Sequence, residues 1–259
     1  VIIVHVLGIP NNLDKILKIC EENDIVLLED TCESIGSEYK NRKLGCFGEM
    51  SSFSFYYGHH MSTIEGGMVS TNSEEFYHIL LSIRSHGWDR DLPEKEKIKL
   101  RKKYNVGNFK SLYTFYYPGF NLRATDLQAF IGLQQLLKIE EIVSKRKDNF
   151  DLYNKYISKN CWKILPPKDS YVSNFAFPII TDKIDVLVES LREKNVECRP
   201  LICGSINEQP FWYERFEKKN LPNSKRVHEF GLYVPNNPNL SKKDIKFISN
   251  IINEIVDCV

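Results

Sequence analysis

Two short stretches hold the residue types from which an active site could be built. The first is Glu29-Asp30-Thr31-Cys32-Glu33, directly after the apolar run Ile25-Val26-Leu27-Leu28. If that run is a parallel strand, Asp30 stands at its carboxyl end, where open α/β sheets bind ligands. A carboxylate there can pair with a ring nitrogen and keep it protonated, which makes a pyridinium an electron sink. Asp at a strand end also serves as a plain turn or cap residue, so the position alone leaves both readings open. The second stretch runs Ser52-Phe53-Ser54-Phe55-Tyr56-Tyr57-Gly58-His59-His60-Met61-Ser62-Thr63-Ile64-Glu65-Gly66-Gly67. Its small hydroxyls and Gly-rich bend suit a phosphate. Adjacent histidines are commonly a surface pair, and a metal reading of His59 and His60 lacks a third ligand nearby.

The elements that must position these residues follow from periodicity. Val1 to Val4 reads as a buried strand, and its all-apolar start without Met predicts further sequence upstream. Pro10 and Asn11-Asn12 open a helix with Leu13, Ile16, Leu17 and Cys20 on one face, ended by Asn23-Asp24. With the strand at 25–28 this makes a βαβ unit in a parallel sheet covered on both faces. Ser52 to Tyr56 and Gly67 to Thr71 read as strands, and Ser73 to Arg84 as a capped helix. Asp89 to Lys110 is charged and aperiodic, which predicts a mobile surface excursion.

Thr125-Asp126-Leu127-Gln128 is a capping box, and the helix behind it carries Leu127, Phe130, Ile131, Leu137 and Ile142. That helix is long enough to join two domains, with a boundary near Lys145. Beyond it come strands at Trp162–Leu165, Val172–Ile180 and Val196–Leu201, a helix at Lys183–Lys194, and a last helix capped by Ser241. The reading is a cofactor-domain portion over residues 1–145 and a small α+β domain over 146–259.

Composition narrows the function classes. The 259 residues are 42% hydrophobic, enough for a substantial core. With 35 basic against 34 acidic residues the formal charge is +1, which disfavours nucleic acid or an anionic membrane as partner. Seven scattered cysteines, Cys20, Cys32, Cys46, Cys161, Cys198, Cys203 and Cys258, form no CxxC pair and read as reduced thiols. No secretory signal or membrane span is apparent, so a cytoplasmic location is expected.

The ordered motifs decide among the open readings. Glu29-Asp30 at a strand end, Ser-Phe-Ser-Phe-x-x-x-His-x-x-x-Thr-x-Glu-Gly-Gly from Ser52, and Gly119-Phe120-Asn121-Leu122-Arg123-Ala124-Thr125 together resemble the nucleotide-sugar aminotransferases, fold-type I pyridoxal-phosphate enzymes. The resemblance runs from His5-Val6-Leu7-Gly8 to Tyr233-Val234-Pro235-Asn236. It implies an α/β fold, a mostly parallel sheet with helices on both faces, and a homodimer. It also implies that Asp30 contacts the pyridine nitrogen, that Ser54 helps hold the phosphate, and that Asn121 reaches the phosphate of a neighbouring subunit. Glu33 falls beside the ring where most members have Gln. The family's phosphate loop and ring-stacking aromatic residue are expected upstream of Val1.

The family's catalytic lysine aligns with His59, and no lysine occurs between Lys43 and Lys95. An imidazole cannot form lysine's covalent tether to the cofactor, but it can still move protons. The resemblance therefore implies pyridoxal 5′-phosphate or pyridoxamine 5′-phosphate held non-covalently. His59-His60-Met61-Ser62-Thr63, followed by Arg84-Ser85-His86-Gly87-Trp88, is similar to the sugar 3-dehydratase branch. That branch removes the C3 hydroxyl of a nucleotide-linked 4-keto-6-deoxyhexose, with glutamate as amino donor, in deoxysugar and lipopolysaccharide biosynthesis. The rivals are a plain sugar aminotransferase, a [2Fe-2S]-dependent CDP-sugar dehydratase and a non-catalytic homologue. The cluster enzyme needs four clustered thiolates, and no cysteine occurs between Cys46 and Cys161. No residue here is expected to bind a metal ion.

Overall fold

The computed structural model describes residues 1–158 and 161–256. In chain order the elements are β1 (Ile2–Val4), α1 (Leu13–Glu22), β2 (Leu28–Asp30), β3 (Glu38–Tyr39), β4 (Arg42–Lys43), β5 (Met50–Ser54), β6 (Gly67–Thr71), α2 (Glu74–Ile83), α3 (Glu94–Lys103) and α4 (Asn108–Ser111). Then follow α5 (Asp126–Leu136), α6 (Ile139–Tyr156), β7 (Ser170–Tyr171), β8 (Ala176–Ile180), α7 (Ile184–Glu193), β9 (Arg199–Pro200), α8 (Pro210–Tyr213), α9 (Pro222–Phe230), β10 (Gly231–Pro235) and α10 (Lys242–Val256).

The first sheet has the order β1-β2-β5-β6. Strands β1, β2 and β5 run parallel and β6 returns antiparallel to β5. The βαβ unit forms, with Asn12 capping α1 by accepting from the Lys15 amide. Its second strand is displaced from the expected run: β2 is Leu28–Asp30, while Ile25 and Val26 are exposed. Pairing with Ile2 and Met50 begins only at Leu28, so partner geometry sets the strand. Likewise β5 begins at Met50 and ends at Ser54. Ile2, Val4, Met68 and Val69 are exposed, so β1 is not the buried strand that its residues predict.

The segment from Asp89 to Lys110 is not an irregular excursion but contains α3 and α4. Buried Asp89 anchors it, accepting from Arg101 Nε at 2.7 Å. The expected long helix is two helices, α5 and α6, broken at 137–138, and Lys145 lies inside α6.

The largest core lies in the second half. There α6, α7 and α10 pack around the antiparallel sheet β8-β10-β9, burying Phe150, Tyr153, Phe177, Leu187, Leu191, Leu232 and Ile252. Trp162 makes a single bridge to Ile180 in place of a strand. Strand β8 starts at Ala176 because Ser173, Asn174 and Phe175 are committed elsewhere, and only Arg199–Pro200 of the run 196–201 pairs. Asp244 closes the α10 cap on Ser241, as its sequence predicts. Among the described residues Cys20, Cys32, Cys46, Cys198 and Cys203 are free thiols, and Cys258 lies outside them. Among the described residues no helix is long and apolar enough to cross a membrane.

Candidate active site

Parallel pairing aligns Asp30 with Ser52, so both stand at the carboxyl ends of adjacent strands. The chain then crosses over the top of the sheet: the Thr31 amide and hydroxyl both donate to the Ser52 carbonyl, at 3.0 and 2.6 Å. Asp30 Oδ1 accepts from the Cys32 amide at 3.0 Å, an Asx turn that fixes the carboxylate. The neighbouring Glu29 points to the other side of the strand. It is fully buried and accepts from the Gly45, Phe47 and Gly48 amides at 2.6 to 2.9 Å and from His5 Nε2 at 3.1 Å. The Asn11 amide donates to His5 Nδ1, so the donor proton of a neutral ring is on Nε2. Burial would raise Glu29, but His5 and the three amides outweigh it and hold the carboxyl below its usual range.

After β5 the chain turns through 55–66, closed by Phe55 N to Gly66 O and Thr63 N to Phe55 O. His59 sits on this turn, with the Phe175 ring 5.2 Å away and the Tyr56 ring 5.9 Å away, each edge-on. Its Nδ1 is buried and makes no hydrogen bond among the described residues. Burial lowers the imidazole pKa, the positive charge of Arg146 adds to this, and the Cys32 backbone and Asp30 offset part of it. Asp30 is thus near enough for its charge to be felt at His59. Cys32 faces the same side, with Sγ 3.7 Å from Ser52 Oγ, and its thiol is pushed up to about 11 by burial and by Asp30. Glu33 accepts from the Leu7 amide at 2.7 Å. Burial, joined by the charge of Asp30 and opposed by that amide, raises its pKa, so Glu33 keeps a proton more readily than an ordinary glutamate.

His59 and His60 are not a surface pair. His60 is buried and its Nε2 lies 3.1 Å from the Ser173 carbonyl and 3.0 Å from Ser173 Oγ. Burial, with the Arg146 charge second, drives its pKa well below the ordinary value. Among the described residues no three His, Cys, Asp or Glu side chains are grouped to hold a metal ion.

Ser54, one residue pair beyond Ser52 on the same strand face, accepts from the Tyr56 amide at 3.3 Å. Asn121 stands apart. It bridges Ser85, accepts from Arg123 Nε at 3.2 Å, and makes no described contact with Asp30 or His59. The tight corner that delivers it explains two of its flanking glycines: a Cβ on Gly87 would lie 1.8 Å from the Tyr117 carbonyl oxygen, and one on Gly119 2.2 Å from the Gly87 nitrogen. A mainly apolar groove of about 750 Å³ runs from Ser52 along Gly67 and Leu80 to Leu122 and Arg123.

Arg146, Phe175 and Ser173 escape a reading by motif. Arg146 had a legible signal, because it shares the buried stripe of α6 with Val143, Phe150 and Tyr153, where a charge is out of place.

The donor set fits a pyridoxal-type cofactor. Asp30 is a fixed carboxylate at the end of β2, Ser54 a hydroxyl at the end of β5, and His59 has a buried ring nitrogen without a hydrogen-bond partner among the described residues, so these three could hold such a group. Fold and site together define a chain of the fold-type I pyridoxal-phosphate class, an α/β architecture with a small antiparallel unit appended. More narrowly, the chain belongs to the DegT/DnrJ/EryC1/StrS aminotransferase family, whose profile it matches over residues 1–253. It is 36% identical over 244 residues to a GDP-4-keto-6-deoxy-D-mannose 3-dehydratase of Escherichia coli O55:H7, covering 91% of this chain and 62% of that protein. A Yersinia pseudotuberculosis protein of the same name is 33% identical, covering 98% of this chain and 66% of its own length. The chain thus spans about three fifths to two thirds of these relatives. The solved E. coli GDP-4-keto-6-deoxy-D-mannose-3-dehydratase with bound hydrated PLP superposes with a TM-score of 0.86 at 34% identity, covering 97% of this chain and 66% of that one.

Proposed function

We propose that this chain is the greater part of a sugar 3-dehydratase that removes the C3 hydroxyl of a nucleotide-linked 4-keto-6-deoxyhexose, with glutamate as amino donor. The observation that carries the reading is His59: a half-buried imidazole coupled to Asp30 on a stretch without lysine between Lys43 and Lys95. The relatives named as GDP-4-keto-6-deoxy-D-mannose 3-dehydratases support a GDP-linked substrate. When bound, pyridoxamine 5′-phosphate would supply an amine for the C4 ketone and a ring that accepts electrons.

Asp30 would hold the ring nitrogen protonated and Ser54 would donate to the phosphate. His59, kept uncharged by its burial, takes a proton beside the reacting carbons and returns one to the departing hydroxyl. Glu33, inclined to keep its proton, stands where most members of the family carry glutamine. The overall exchange balances: the C3 carbon loses hydroxyl and gains hydrogen, glutamate becomes its 2-oxo acid, and one ammonia is released. Residues 1–145 carry the cofactor and 146–259 the small domain. The protein acts in the cytoplasm as a homodimer in which Asn121 reaches the partner's phosphate, and the exposed apolar side chains of α5 favour such an interface.

The test uses protein from the complete open reading frame, supplied with cofactor, glutamate and the GDP-linked 4-keto-6-deoxyhexose in D₂O. One ammonia per turnover, a deuteron at C3 and no sugar nitrogen are expected. His59→Asn should lower turnover by about a hundred- to ten-thousand-fold, the usual contribution of a general acid-base group. Formation of a 4-amino sugar with its C3 hydroxyl intact overturns the reading in favour of the aminotransferase.

A further inference from the structure

Arg146 is a buried guanidinium in a place where charge is costly. It is 5% exposed, and it donates from one nitrogen to two main-chain carbonyls, those of Phe175 and Asn236, each at 2.7 Å. Its Nε is buried without a hydrogen-bond partner among the described residues. Burial alone lowers its pKa, to about 10, so it stays protonated at neutral pH. Removing such a charge in favour of an apolar side chain is often neutral or stabilising for a fold, so stability alone is a weak reason for it.

What Arg146 clamps leads to the site. The Phe175 amide and the Asn174 side-chain amide both donate to the Leu7 carbonyl, at 2.9 and 2.8 Å, and Asn236 Nδ2 donates to the carbonyls of Arg146 and Asn174. Ser173, at the start of this segment, pins His60. The Phe175 ring stands between the guanidinium, 5.8 Å from its centroid, and the His59 ring, 5.2 Å away. Both the packing surface of His59 and the anchor of its chain neighbour therefore hang from the segment that Arg146 holds.

We propose that Arg146 is a positioning residue for His59, acting through the 173–175 segment it clamps and through a buried positive charge that has no carboxylate partner among the described residues. The inference rests on the reading of His59 as the proton carrier, which needs a fixed and uncharged imidazole at neutral pH. The titratable and charged groups facing His59 are Asp30 and Cys32 from the end of β2, Tyr56 and His60 from its own turn and Arg146 from α6. Asp30 favours the imidazolium, and Arg146 opposes it.

The experiment is an NMR titration of the histidine rings in the cofactor-free protein, with His59 assigned by loss of its signal in H59N. In the wild type the His59 midpoint should fall below the ordinary 6.5. In R146Q it should rise by about half a pH unit or more, and in R146K, which keeps the charge, it should stay with the wild type. A wild-type midpoint at or above the ordinary value overturns the proposal, as does a folded R146Q that titrates like the wild type. If R146Q does not fold, R146M, which also removes the charge but keeps the side-chain length, decides: a raised midpoint supports the role and an unmoved one overturns it. These midpoints need no turnover, so they can fail while the product assay succeeds, and the reverse.

Discussion

Glu29 and Asp30 are adjacent carboxylates with opposite tasks, separated by the alternation of a strand. Asp30 faces the crevice with an accepting oxygen, while Glu29 is consumed by structure, taking three amides of the 45–48 loop and the His5 ring. Removing one partner of a fully buried pair leaves the others unmatched, so Glu29→Ala should cost about 3–5 kcal/mol in urea unfolding. Because the folded Glu29 carboxyl lies below the usual 4.5, its stabilisation is fully present above that pH. It is lost as pH falls through the lower folded value. The urea midpoint of the wild type should therefore fall below about pH 4.5 more steeply than that of Glu29→Gln, and equal slopes would remove Glu29 from the account. At this scale the strand-end reading put Asp30 at the carboxyl end of β2, where the structure has it, whereas Glu33 and Ser54 came only from the family resemblance. The sequence was silent on the division of labour between Glu29 and Asp30, since pairing geometry and not composition decides which carboxylate faces the crevice. His60 misled for a related reason: its burial comes from Ser173, more than a hundred positions away in the chain.

Elements governed by local chemistry were legible, and those governed by partners were not. Thr125 and Gln128 close their box on α5, Asn12 and Ser73 cap α1 and α2, and each signal lies within a few residues of the helix start it fixes. Strands β2, β8 and β9 shifted or shortened because distant partners determine where pairing starts. The 55–66 turn shows the same tension within the site. Ile64 adopts φ 71°, a left-handed conformation that a β-branched residue rarely takes, and its side chain is 63% exposed. Ser62 Oγ accepts from its amide at 3.0 Å, and Thr63 Oγ1 donates to the Glu65 carbonyl at 2.9 Å, which together hold the strained turn. Such strain costs about 1–3 kcal/mol, and Asn tolerates the region. Ile64→Asn should accordingly stabilise the protein by about 1 kcal/mol, read as a higher urea midpoint at unchanged slope. A lower midpoint would mean that the Ile64 side chain makes a contact worth more than the strain. Gln128 links this turn to α5, since its Nε2 donates to the Glu65 carbonyl at 2.6 Å while its Oε1 accepts from the Thr125 amide.

Across the whole molecule, apolar surface is distributed unevenly, and the imbalance bears on assembly. The second half buries its aliphatic and aromatic side chains around β8 and β10, whereas α5 buries none of its residues. Phe130 is 62% exposed and Leu137, just after the helix, 80%, with Leu127, Leu133 and Leu136 exposed as well. A monomer seldom leaves so many large apolar side chains on one short stretch, and a face of this kind suits a protein interface. It directly follows Asn121 and Thr125, so a partner seated there would stand next to the residue proposed to act across subunits. A stable interface buries about 1,200–2,000 Å² in total, and two charges set into its apolar centre are strongly unfavourable to association. The double variant Phe130→Glu, Leu137→Glu should therefore sediment as a monomer where the wild type sediments as a dimer. Both residues are exposed, so circular dichroism and the urea midpoint should change little. If the variant stays dimeric with the wild-type dissociation constant, the interface lies elsewhere, and the trans assignment of Asn121 loses its structural support.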